Sequence, residues 1–287
     1  MASRVLYSDE YDRALDQGTL VPEAFPYKIL CEGDSWMDRS SLFQLSLPWA
    51  LAKTFKGKRG NDALFINLAR FGDTLRSIAD CGDGLFHQWL NTDGLFKFDA
   101  LMLSASGNDF IKAAVEPGSG NGILNGVHGA PAGLTADECY SPLAVAELVT
   151  TVIDPAFDAL YRRVRNSRNS DLPILLNMYN MPVARPAPAF PGGRAWLSLA
   201  YEKNGIPPHL WAEVTERIFI DVETTVTGWV LDGRVGLHVV PTTSVRLTPA
   251  APGSTGSSGD WLNEIHPNRS GWGKLAQAWQ AELDTIL

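Results

Sequence analysis

Tyr27-Lys28-Ile29-Leu30-Cys31-Glu32-Gly33-Asp34-Ser35-Trp36 is the stretch on which the architecture turns. Its apolar front half has the length and character of a strand buried on both faces of a parallel sheet. Its back half, Gly33 to Trp36, is where the chain leaves that strand. Four more short apolar runs, at 64–68, 100–104, 173–178 and 235–240, have the same character. Residues 143–165 and 209–231 carry apolar side chains at three- and four-residue spacing and predict helices, and 270–287 reads as a closing helix. Strand-length runs alternating with helical patterns predict an α/β protein with a mainly parallel, five-stranded sheet.

The chain has 287 residues, of which 45% are hydrophobic and 20% charged. This is an ordinary globular composition, and we read residues 1–287 as one domain. Three long stretches, 116–140, 182–208 and 248–259, are rich in Gly, Ala, Pro or Ser. They read as loop excursions without elements of their own, and loops of that length are usually functional or disordered. A formal charge of −8, with basic residues scattered, gives no footprint for nucleic acid or an anionic membrane surface. No apolar run has the roughly 18 residues of a membrane span, and the polar, acidic N-terminus does not resemble a secretory signal. Cys31, Cys81 and Cys139 form neither a CxxC pair nor a metal-ligand spacing. The expectation is a cytoplasmic protein, with leaderless export an open alternative.

The chemistry-bearing residues lie just after the predicted strands, at the carboxyl edge where open α/β sheets bind ligands. Ser35 is there after the first strand. A serine hydroxyl needs a base within hydrogen-bond reach and donors for the oxyanion it creates. Taken alone, Gly33-Asp34-Ser35 reads better as a tight turn with a polar helix cap. Three further segments give it context. The second strand leads into Asn67-Leu68-Ala69-Arg70-Phe71-Gly72-Asp73, the third into Ser106-Gly107-Asn108-Asp109, and Asp260-Trp261-Leu262-Asn263-Glu264-Ile265-His266-Pro267-Asn268 precedes the last helix.

Ser, Gly, Asn and His in that chain order resemble the four blocks of the SGNH hydrolases, the GDSL-like esterases and lipases, and the match spans nearly the whole chain. The resemblance implies a three-layer α/β/α, flavodoxin-like fold and hydrolysis of carboxylic esters. It implies Ser35 as nucleophile and His266 as general base. The backbone N–H groups of Ser35 and Gly72 and the side chain of Asn108 would form the oxyanion hole.

Two departures stand out. Trp36 follows the serine where the best-known members have leucine, which makes this a GDSW-type sequence and alters the packing beside the nucleophile. Asn263 occupies the place of the aspartate three residues before the histidine, with Asp260 three residues earlier still. Asn263 and Asp260 therefore compete to orient the imidazole: an asparagine carbonyl can fix the tautomer, but only a carboxylate adds a charge. Tyr179-Asn180-Met181-Pro182 and the following 193–205 stretch, with Trp196 and Leu197, resemble the loop that leaves the fourth strand toward the active site in GDSW-type relatives; no role is carried over for them, and loop aromatics packing on the domain's own surface is an equal reading. His87, His128, His209 and His238 read as structural, and Asp34, Asp73 and Asp109 as turn caps. No metal or cofactor motif is present, so none is expected. The partner is a small-molecule, lipid or carbohydrate ester, and oligomeric state is not readable. Acyl transfer to an alcohol would use the same groups, and a catalytically inactive binding module is the alternative from another class.

Overall fold

The computed structural model describes residues 2–39, 45–80, 84–92, 96–116, 122–129, 133–189 and 192–287. The chain begins with β1 (Arg4–Tyr7) and α1 (Ser8–Asp16), then β2 (Tyr27–Gly33), α2 (Leu47–Ala52) and β3 (Ala63–Asn67). Next come α3 (Leu75–Asp80), α4 (Leu85–Asn91), β4 (Ala100–Ser104) and α5 (Gly107–Val115). The second half holds α6 (Pro142–Leu148), α7 (Asp154–Arg165), β5 (Ile174–Asn177), α8 (Leu197–Lys203), α9 (Trp211–Leu231), β6 (Leu237–Val240) and α10 (Arg269–Ile286).

The six strands pair in the order β1-β3-β2-β4-β5-β6, every pair parallel. Without β1 this is the doubly wound order 2-1-3-4-5 of flavodoxin-like sheets. Strands β3 and β4 lie on opposite sides of β2, so the crevice at the carboxyl end of β2 is a topological switch point. All five residues of β3 and of β4 are buried, which is why they read as unbroken apolar runs.

The sixth strand is the one the sequence does not reveal. In Arg4-Val5-Leu6-Tyr7 only Leu6 is fully buried, because β1 lies at the sheet edge and runs directly into the acidic helix α1. A second difference is α8, inside the stretch read as an element-free excursion. Leu197, Ala200 and Tyr201 form a short buried stripe there, masked in sequence by the Pro- and Gly-rich residues on both sides. The helix expected over 143–165 is interrupted by a π-helical turn, Val149–Ile153. Pro155, one residue into α7, has no N–H to give to the preceding turn, and the wider turn accommodates that gap. Among the described residues no helix is long and apolar enough to cross a membrane. Cys31 and Cys139 are buried free thiols, and Cys81 lies outside the described residues.

Candidate active site

Ser35 sits in the turn that ends β2, and the turn is built by its neighbours. Gly33 has φ 141°, and a Cβ there would lie 2.2 Å from the Ser104 carbonyl oxygen. Only glycine lets β2 run this close to β4 and then turn. Asp34 accepts from the backbone N–H of Trp36 at 3.0 Å, closing the turn, and from the Ser104 hydroxyl at 2.8 Å. Its other oxygen accepts from the Tyr179 hydroxyl at 2.6 Å. Burial raises the Asp34 pKa to about 6 against the opposing pull of these donors. Trp36 packs edge-on against Tyr179 and Trp272, with ring centroids 5.0 and 5.2 Å apart, so it ties the turn to the end of β5 and to α10.

His266 is delivered from the other end of the chain. Its Nε2 lies 2.7 Å from Ser35 Oγ and its Nδ1 lies 3.0 Å from Asn263 Oδ1. The same Asn263 oxygen accepts from the backbone N–H groups of Ile265 and His266, at 3.1 and 2.8 Å, which holds the side chain under the ring. An amide oxygen can only accept. Nδ1 must therefore carry the proton, leaving the Nε2 lone pair for the Ser35 hydroxyl. The ring is 1% exposed, and desolvation lowers its pKa to about 4. It is a neutral imidazole at pH 7. Asp260 is engaged elsewhere. Its carboxylate accepts from Lys274 Nζ and from Thr248 N–H, both at 2.6 Å, and these bonds bring its pKa to about 2. Of the two candidate orienters, Asn263 is the one that reaches the ring.

The other side of Ser35 is formed by the loops after β3 and β4. Asn67 fastens the first of these to the Ser35 turn, donating to the Met37 carbonyl at 2.8 Å. Gly72 has φ 78°, and its carbonyl accepts from Lys112 Nζ at 2.9 Å. Asn108 donates one amide hydrogen to the Asp73 carbonyl at 2.9 Å, which joins α5 to the Gly72 loop and leaves a second amide hydrogen. Asp109 accepts from Leu75 N–H at 2.8 Å and is raised to about pKa 6 by burial. Ser106, preceding α5, has φ 83° without being glycine, a strained conformation at the edge of the site.

A narrow cleft is lined by Ser35 and Asn108 together with Trp36, Ile111, Phe219 and Ile265. On its other side the His266 ring is flanked by Trp196, edge-on at 5.7 Å, and by Phe71, tilted at 6.2 Å and half exposed. Among the described residues no group of three or more His, Cys, Asp or Glu gathers as a metal site.

Comparison with solved structures finds phospholipase A1 from Streptomyces albidoflavus NA297 (TM-score 0.51, 13% identity, 91% of this chain and 99% of that one). It also finds the aryl esterase of M. smegmatis (TM-score 0.51, 13% identity, 91% of this chain and 100% of that one). The fold is that of the SGNH hydrolases. No protein-family model matches the sequence, and no curated protein does. At such identity the likeness rests on shape; in this shape Ser35 and Asn108 line the cleft, and Phe71, next to Gly72, packs beside the His266 ring.

Some residues that build this site are not evident as such in the sequence. Glu264, buried between Asn263 and His266, accepts four backbone N–H bonds of 2.6–3.0 Å, from Arg185, Trp196, Leu197 and Ser198. Arg185, also fully buried, donates to the Asn263 carbonyl at 2.7 Å and to the carbonyl oxygens of Ser254 and Gly256. A lone Arg and a lone Glu some 80 positions apart carry no spacing signal. Of the other histidines, His128 meets the Lys203 carbonyl, His87 meets Asn91, and His238 lies 3.9 Å from Glu282.

Proposed function

We propose that the protein is a serine-dependent carboxylic-ester hydrolase. The observation that carries this reading is the hydrogen-bonded chain Ser35 Oγ, His266 Nε2, His266 Nδ1, Asn263 Oδ1, with both distances at 3.0 Å or less. Ser35 Oγ attacks the acyl carbon while its proton passes to His266 Nε2. The backbone N–H groups of Ser35 and Gly72 and the second Asn108 amide hydrogen are the proposed donors to the oxyanion. Collapse of the tetrahedral intermediate expels the alcohol, protonated by His266, and leaves an acyl group on Ser35. Water, deprotonated by the same imidazole, then releases the acid.

The resting site supports this order of events, because a base must be neutral before it can accept a proton and burial keeps His266 so. Asn263 holds the productive tautomer but brings no charge to the imidazolium. An alcohol in place of the deacylating water would make the enzyme an acyltransferase through the same steps.

The test is labelling by a fluorophosphonate together with hydrolysis of p-nitrophenyl acetate. The expected result is a single adduct on Ser35, labelling lost in His266→Ala, and no turnover by Ser35→Ala. An adduct on another serine, or undiminished labelling of His266→Ala, would overturn the assignment. Adding alcohol acceptors and analysing products separates transfer from hydrolysis.

A further inference from the structure

Among the described residues that line the cleft beside Ser35, Asn180 carries a buried polar atom without a hydrogen-bond partner. Asn180 follows β5, lines the cleft and is 6% exposed. Its Nδ2 donates to the Val245 carbonyl at 3.0 Å. Because that carbonyl can only accept, the amide cannot be turned over, and its Oδ1 is fixed on the side away from Val245. Oδ1 is buried and has no hydrogen-bond partner among the described residues. A buried acceptor left unpaired is destabilising.

The other buried polar groups on this wall are spoken for. The Tyr179 hydroxyl donates to Asp34, and both Asp34 oxygens hold donors. Trp36, Ile111, Phe219 and Ile265 complete an apolar lining. Beside Ser35 and Asn108, Asn180 thus brings to the lining of this narrow cleft one buried, unpaired acceptor in fixed orientation, among apolar side chains. Such an arrangement distinguishes ligands by one hydrogen bond.

Which half of an ester enters the cleft follows from the position of the base. The alcohol must leave next to His266 Nε2, whose ring is bordered by Trp196 and the half-exposed Phe71, and neither residue lines the cleft. The acyl half is left for the cleft. Resting on the ester-hydrolase reading above, we propose that Asn180 is a specificity-determining residue that selects short acyl groups bearing a hydroxyl, which donates to Asn180 Oδ1. A methyl group in place of that hydroxyl leaves the acceptor unpaired.

The experiment uses two isosteric pairs, each differing only by hydroxyl against methyl: p-nitrophenyl lactate with isobutyrate, and p-nitrophenyl 3-hydroxybutyrate with isovalerate. After correction for spontaneous hydrolysis, the wild-type protein is expected to favour the hydroxy member of at least one pair by about tenfold or more in kcat/KM. Asn180→Leu is expected to abolish or invert that ratio while still turning over the methyl member. Equal treatment of both members by the wild-type protein, or a ratio unchanged in Asn180→Leu, would overturn the proposal.

Binding gives the same information without chemistry and without the Asn180 variant. Calorimetry of Ser35→Ala with methyl lactate, methyl isobutyrate and the corresponding C3 pair is expected to show the same preference. If the wild-type protein is inert towards every ester yet Ser35→Ala binds a hydroxy ester preferentially, the hydrolase reading fails and the Asn180 acceptor stands. Equal binding within both pairs overturns the acceptor whatever the activity.

Discussion

The two loops that converge on Ser35 are held by different physics. The Asn263–His266 loop is fixed from within: Glu264 takes four backbone N–H groups and Arg185 clamps the Asn263 carbonyl, all out of solvent. The Gly72 loop is fixed from outside. Phe71 is half exposed and its N–H donates to Asp38, Gly72 leans on Lys112, and Asn108 reaches Asp73. Buried charged groups bonded on several sides fail heavily when one partner is removed, whereas exposed bonds contribute little each. The proposed base is thus tied to the stability of the fold, while the proposed oxyanion side is adjustable at small cost to it.

The largest effect should come from Glu264→Ala, which strands four N–H groups and leaves Arg185 without its neighbouring carboxylate. A loss of about 3–5 kcal/mol is expected. For a chain of this size that is a fall in Tm on the order of 10 °C, read by calorimetry. Asn108→Ala is the counterpart on the other loop. It should lower kcat by about 10²–10³, or about 2.7–4 kcal/mol of transition-state stabilisation, with KM and Tm nearly unchanged. If Asn108→Ala melts as early as Glu264→Ala, the contrast between the loops is wrong.

Asn263 variants sharpen it further. Asn263→Ala should cost kcat on the order of 10- to 100-fold, since the residue orients the ring without charging it. Asp260→Asn should leave kcat nearly intact, because that carboxylate serves Lys274 and Thr248. With His266 lowered to about 4, kcat/KM should stay flat on acidification until close to pH 4. Asn263→Asp places a negative charge beside the ring, favours the imidazolium and moves this acid limb upward.

Stability follows a related pattern. The unfolded chain takes up the His266 proton near pH 6.5 and the folded one only near 4, so about 3 kcal/mol is lost as pH falls between these values. Asp34 and Asp109, raised to about 6, act oppositely. Their contribution is full below the unfolded value of 3.8 and is lost as pH rises through 6. The acid limb should therefore be read from kinetics rather than melting. The smallest effect is at Ser106, where glycine removes both a positive-φ strain and a buried, unpaired hydroxyl. Ser106→Gly should raise stability by about 1 kcal/mol by urea denaturation.

The parts of this molecule legible in sequence are those written locally. Strands buried on both faces announce themselves as apolar runs, and the Ser35 and His266 motifs are contiguous. Trp196 was visible as a loop aromatic, but not as a wall of the imidazole, because nothing local says what a loop packs against. The same limit conceals Glu264: its neighbours in sequence make it a motif residue, whereas its four donors come from Arg185 and the start of α8. Asn180 shows the limit most plainly. Its role depends on a carbonyl, Val245, that turns one end of an amide and so exposes the other.

The Glu264 bonds also bear on the order in which the molecule assembles. They join residues 66 to 79 positions apart, and such contacts form only after the intervening chain has been confined. The central β2-β3-β4 region can pair from the first 104 residues, whereas the bonds that hold the His266 loop need α8 and the Arg185 segment docked on it. In refolding, the return of the far-ultraviolet helical signal should therefore precede the return of Ser35 reactivity, which makes chemical competence a late reporter of the native state.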